Sequence, residues 1–114
     1  MHIDSYRFGR LVVDGSTYTS DCLIFPQTVR NNWRRKEGHR LSVEDLEEVF
    51  AMSPDVLVIG CGADGVMQVP DEVCRALEEK GVRPEVLDTT AAVKRFNELC
   101  ETGANVAAAL HLTC

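Results

Sequence analysis

At 114 residues the chain has the length of one ordinary domain, enough for one apolar core and too short for two. Hydrophobic residues at 45% and charged residues at 26% are globular proportions and exclude the low-hydrophobicity profile of a disordered chain. The formal charge of −6 argues against nonspecific nucleic-acid binding, which needs surplus Lys and Arg to displace counterions from phosphates. No run approaches the roughly 20 apolar residues that cross a bilayer, and Met1-His2-Ile3-Asp4-Ser5 lacks the basic and apolar regions of a signal peptide. A cytoplasmic protein with no membrane contact is therefore expected.

The five cysteines, Cys22, Cys61, Cys74, Cys100 and Cys114, are odd in number and form no Cys-x-x-Cys pair. They fit neither a disulfide framework nor a zinc site, and buried thiols acting as small apolar residues are expected. Three scattered histidines offer no ligand spacing, so neither a metal nor another cofactor is expected.

In chain order, the first third reads as β structure: Tyr6-Arg7-Phe8-Gly9, Leu11 to Val13, an Asp14-Gly15 hairpin turn, Thr17-Tyr18, and the apolar run Cys22 to Phe25, which Pro26 ends. From Val29 to Arg40 there is no clean period, but Arg30, Arg34, Arg35, Lys36 and Arg40 cluster around Trp33 and His39. Ser42 and Asp45 resemble a capping box, and Val43, Leu46, Val49 and Phe50 follow at helical spacing. Pro54 breaks that helix. Val56 to Ile59 is an uninterrupted aliphatic run, the pattern of a central strand buried on both faces, and Gly60 to Gly65 is the loop after it. A second helix is expected from Pro70 to Lys80, a strand from Val82 to Leu87, a third helix from Thr90 to about Gly103, and a last buried strand from Val106 to Leu112.

Strand, helix and strand within one βαβ length imply parallel pairing. The expected fold is α/β, one domain spanning 1–114, with a partly parallel central sheet, flanking helices and an N-terminal β-hairpin region.

Ser5-Tyr6 with Phe8-Gly9, Trp33 and His39, Ile59-Gly60-x-Gly62, Thr90-x-Ala92, Phe96-Asn97-x-Leu99 and the ending Ala109-Leu110-His111-Leu112-Thr113-Cys114 together resemble the Mth-type domain family. That family includes an adipogenesis-associated protein and a mitochondrial complex I assembly factor. The resemblance runs through essentially the whole chain. It implies a three-layer α/β fold with a mixed sheet, one strand antiparallel to the others, and it implies no established reaction. Where the family commonly carries Thr between the two glycines, this chain has Cys61.

Gly60-x-Gly62-x-x-Gly65 after a buried strand, with Asp88 ending the next, imitates a dinucleotide-binding fingerprint. Met67 to Pro70, however, separate the glycines from the helix whose amides would hold the pyrophosphate. Close turn packing is the plainer reason for these glycines. Ligands of open α/β sheets nonetheless bind beyond the carboxyl ends of strands. A cleft lined by Gly60, Cys61, Gly62, Asp88, Thr89 and Thr90 is accordingly expected, with Thr90 as N-cap and the third helix's amides facing an anion. Cys61 is the one candidate nucleophile, and His39 and His111 are its candidate bases.

Trp33, Arg34, Arg35 and His39 form a second candidate surface, for a partner or an anion. The expected function is a non-catalytic interaction or assembly-factor domain with an unidentified protein partner. The alternative is a small anionic-ligand binding protein or minor thiol-dependent enzyme, and self-association into a homo-oligomer is a third reading.

Overall fold

In a computed structural model describing residues 1–114, the chain forms two sheets and three helices. Strands β1 (Ile3–Arg7), β2 (Arg10–Val13) and β3 (Ser16–Tyr18) make an antiparallel meander. Strands β4 (Cys22–Phe25), β5 (Thr28–Arg30), β6 (Val56–Cys61), β7 (Arg83–Leu87) and β8 (Val106–His111) make the second sheet in the order β5-β4-β8-β6-β7. β6 pairs in parallel with β7 and β8, whereas β4 runs antiparallel to β8 and to β5. The helices are α1 (Glu47–Met52), entered through a 3-10 turn at Val43–Leu46, α2 (Asp71–Glu79) and α3 (Thr89–Glu101).

All six residues of β6 and all six of β8 are buried, and the two-residue period of a strand sends them to opposite faces. Leu57, Ile59, Cys61, Ala107 and Ala109 pack with Trp33, Leu41, Leu46, Val49, Val73 and Leu77 on one side. Val56, Val58, Val106, Ala108 and Leu110 pack with Ala92, Phe96 and Leu99 of α3, and with Ile3, Leu11 and Val13 of the meander, on the other. The result is the expected three-layer α/β fold, with a mixed central sheet and the N-terminal strands sharing one outer layer with α3.

The Asp14-Gly15 hairpin turn stands as expected, while other boundaries differ for physical reasons. Asp14 and Gly15 both take positive φ, 47° and 82°, as a two-residue hairpin turn demands. Phe8-Gly9 is the first hairpin's turn and not strand. Pro26 ends β4 but sits in a turn that returns the chain as β5, a three-residue strand too short and too exposed to leave a period. The first helix opens as a 3-10 turn, with the Asp45 carboxylate accepting the Ser42 N–H at 2.8 Å.

Asn97 of α3 behaves as a missing strand neighbour for β1. Its side-chain carbonyl accepts the Ile3 N–H, and its amide donates to the Ile3 carbonyl, each at 2.9 Å. Asn97→Ala strips both partners from a buried residue, and the expected loss of stability is about 1–3 kcal/mol. Urea unfolding should show it as a lower midpoint with an unchanged slope.

Candidate functional site

At the carboxyl ends of the two central strands, Cys61 and His111 are partners in the parallel β6–β8 ladder. The His111 side chain is 7% exposed, and its Nδ1 lies 2.8 Å from Asp21 Oδ2. Asp21 Oδ1 accepts the Leu112 N–H at 2.8 Å. Arg35, with its side chain only 4% exposed, brings Nη1 to 2.9 Å from Asp21 Oδ2. Its Nε and Nη2 donate to the Gly38 carbonyl at 3.2 and 2.8 Å. The guanidinium lies 4.8 Å from the centre of the Trp33 ring, and Trp33 Nε1 donates to the Asp45 carbonyl at 2.9 Å. His39 meets His111 edge to face, with ring centres 5.7 Å apart.

These contacts decide the protonation states. Burial pushes the Asp21 carboxyl up, but His111, the Leu112 amide and Arg35 together outweigh it and hold the group below its ordinary value. Asp21 is therefore ionised at neutral pH. Nδ1 of His111 lies 2.8 Å from Asp21 and 3.0 Å from Arg35 Nη2, and it cannot both donate to one and accept from the other. The anion claims the proton, so Nδ1–H donates to Asp21 and offers no lone pair to Arg35, one of whose two Nη2 hydrogens goes to the Gly38 carbonyl. Nε2 on the far edge is buried without a hydrogen-bond partner.

The glycine turn is closed. Gly62 sits at φ +104°, and a Cβ there would stand 2.2 Å from the Cys114 carbonyl carbon and 2.6 Å from the Thr113 oxygen. A Cβ on Gly60 would stand 2.9 Å from both Leu110 Cδ2 and Thr89 Oγ1. The Thr113 carbonyl accepts Ala63 N–H at 2.8 Å, and the Cys114 carbonyl accepts Asp64 N–H at 3.1 Å. Buried Thr89 donates Oγ1–H to the His111 carbonyl at 2.6 Å and accepts Gly62 N–H at 2.8 Å. The crevice expected beyond β6 is thus filled by the chain's own Thr113–Cys114 segment, and the glycines are required for that close approach.

The expected N-cap is also corrected. Asp88 caps α3, its carboxylate accepting Ala91 N–H at 2.9 Å, and Thr90 lies exposed in the first turn. The cap stands two residues earlier than expected, and Thr89, at the first helical position, is held inward by Gly62 and His111.

Cys61 is 5% exposed. Burial pushes its thiol up, against a smaller pull downward from Arg35, with Asp88 adding to the rise. It is a thiol at neutral pH, not the thiolate a nucleophile needs.

Trp33, Arg35 and His39 therefore converge with Cys61 at the end of β6, while Arg34, Asp88 and Thr90 face outward. Asp21, the hub of the cluster, gives no periodic or motif signal; the one trace in the sequence is a carboxylate directly before a wholly buried strand. A cavity of about 380 Å³ lies elsewhere, at the amino ends of β6 and β8, lined by Phe25, Pro26, Gln27, Met52, Pro54 and Asn105.

A family model described as a protein of unknown function (DUF498/DUF598) matches residues 3–111. The chain belongs to this family. NADH dehydrogenase [ubiquinone] 1 alpha subcomplex assembly factor 3 of Bos taurus is 32% identical over 112 residues, covering 96% of this chain and 60% of the relative. The chain thus spans about three fifths of the curated relative's length. The solved structure titled MT938 superposes with a TM-score of 0.83 at 31% identity, over 99% of this chain and 98% of that one. A conserved hypothetical protein from Pyrococcus horikoshii OT3 superposes with a TM-score of 0.83 at 28% identity, over the whole of both chains. The Mth-type resemblance in the sequence holds in three dimensions.

Asp21→Asn in this Mth-type domain leaves the Arg35 guanidinium buried without its counter-charge, and the expected cost is about 3–5 kcal/mol. The lowered carboxyl pKa also fixes a sign. Asp21 contributes fully above its ordinary value of 3.8 and loses that contribution as the pH falls through the lower folded value. Urea unfolding at a series of acid pH values should show the Asn variant losing less stability than the native chain. For the thiol, iodoacetamide at neutral pH should modify Cys61 more slowly than the half-buried Cys74, Cys100 and Cys114. Labelling of Cys61 ahead of these three would contradict its assignment as a buried thiol.

Proposed function

We propose that this chain is a non-catalytic interaction domain of the assembly-factor kind, and that the Trp33 to Arg40 segment is its partner-binding face. One observation carries the reading. Arg35 is consumed inside the molecule by Asp21 and Gly38, and Trp33 is anchored on the Asp45 carbonyl. The residues between and beyond them are held as a fixed platform with the side chains of Arg34, Lys36 and His39 exposed.

Arg34 joins no ion pair, and Lys36 reaches Glu44 only at 3.7 Å between two exposed groups, a contact that contributes little. A preordered cationic face on a chain of net charge −6 suits a partner with carboxylates at its contact surface. The curated relatives named as complex I assembly factors support a role in protein assembly, and the family match supports carrying that role to this chain as a hypothesis. The rival reading, an anionic ligand or thiol chemistry at Gly60 to Gly62 and Asp88 to Thr90, requires the Thr113–Cys114 segment to move aside and Cys61 to ionise. Neither has a supporting contact.

Arg34→Glu with Lys36→Glu should abolish recovery of a specific partner in affinity purification while changing folding stability by no more than about 0.5 kcal/mol, as exposed substitutions do. Arg35 is not a useful test position, because its charge is part of the interior. Retention of every partner by the double variant would defeat the proposed face.

A further inference from the structure

The hairpin between β1 and β2 turns through Phe8-Gly9, with Gly9 at φ +74° and its N–H donated to the Leu112 carbonyl at 2.8 Å. Arg7 and Arg10 are directly paired across that turn. Both are exposed, and neither takes part in any of the chain's ion pairs. Between them Phe8 is 63% exposed, more than any other large hydrophobic side chain.

Like charges directly opposite on a two-stranded ladder repel, and neither guanidinium has a carboxylate of this chain at ion-pair distance. An aromatic ring left in water gains nothing from folding. Two locally unfavourable choices therefore coincide at one tip that the fold itself holds rigid through Gly9 and Leu112. Such a departure from local consistency points to a contact outside the molecule.

We propose that the Arg7-Phe8-Gly9-Arg10 tip is a docking finger for an acidic protein surface. Phe8 enters an apolar pocket on the partner, and the two guanidiniums pair with carboxylates at its rim, the Arg and aromatic pattern of interface anchors. Charge complementarity chooses the occupant. The net charge of −6 opposes approach to a phosphate polymer or an anionic leaflet, which present extended negative fields. A local carboxylate rim meets only the two arginines. This finger is separate from the Arg34 and Lys36 face and adds a second point of contact, so each can fail alone.

The test uses the full chain and defined probes: a fluorescein-labelled peptide with a central Leu flanked by Asp and Glu, its counterpart with Lys in place of the acids, and phosphatidylserine vesicles. The acidic peptide should raise anisotropy to saturation, and the Lys peptide should not. Phe8→Ser and Arg7→Glu should each weaken acidic-peptide binding about tenfold or more, whereas Arg75→Glu, an exposed change on α2, leaves it unchanged. Neither tip variant should lower Tm; Arg7→Glu should raise it, because an opposite-charge pair replaces a repulsive one. Undiminished binding by the tip variants would overturn the proposal. So would binding lost on Arg34→Glu alone, which assigns the peptide to the other face. Vesicle binding without peptide binding, or a dimer in sedimentation velocity that Phe8→Ser dissolves, would likewise replace this occupant with a membrane or a second copy.

Discussion

A carboxylate cannot leave water uncompensated, and the arrangement of this molecule's strand-end region follows from how Asp21 is compensated. Its two oxygens take up His111, Arg35 and the Leu112 amide, while its backbone carbonyl accepts the Trp33 N–H at 2.9 Å. Three segments far apart in the chain are thereby fixed together: the start of β4, the irregular stretch before α1, and the end of β8 with the residue after it. Hydrophobic burial brings β6 and β8 into the interior, but it is indifferent to direction. The ionic cluster adds direction, because the 33–40 segment must run where the Arg35 guanidinium meets Asp21.

This explains which parts of the structure were legible in the sequence. Val56 to Ile59 announces itself because burial on both faces requires an unbroken aliphatic run. The stripes of α2 and α3 announce themselves because one face of each is apolar at helical spacing. These are local signals. Asp21, β5 and the closure of the glycine turn are not local. β5 has three residues and owes its place to β4 beside it. The turn at Gly60 to Gly62 has the residues of an open ligand loop, and only the path of Thr113 and Cys114 over it shows that the glycines make room for chain and not for ligand. The three histidines are scattered in sequence, yet His39 and His111 touch, because a strand end and a surface turn meet through Arg35.

The basic segment, single in composition, is divided in space. Arg35 has its charge neutralised by Asp21 and contributes to the interior, whereas Arg34, its neighbour in sequence, faces water with no partner. Trp33 and Arg35 turn inward and Arg34 between them outward, so one run of cations serves both architecture and surface. Counting charges in the segment cannot separate the two roles. Burial can, and it reduces the recognition surface to fewer residues held in a better-defined geometry.

The same logic links the hairpin tip to the cluster. Leu112 donates its N–H to Asp21, and its carbonyl accepts from both Gly9 N–H and the Tyr6 hydroxyl, each at 2.8 Å. One residue of the chain's last segment therefore ties the outer hairpin to the buried ion cluster on the opposite side of the sheet. Preorganisation is what lets a small surface bind without a large ordering cost, and here the tip and the 33–40 platform derive their rigidity from one set of hydrogen bonds. Loosening Asp21 should soften both surfaces together, whereas trimming Phe8 or Arg34 touches one and leaves the other in place.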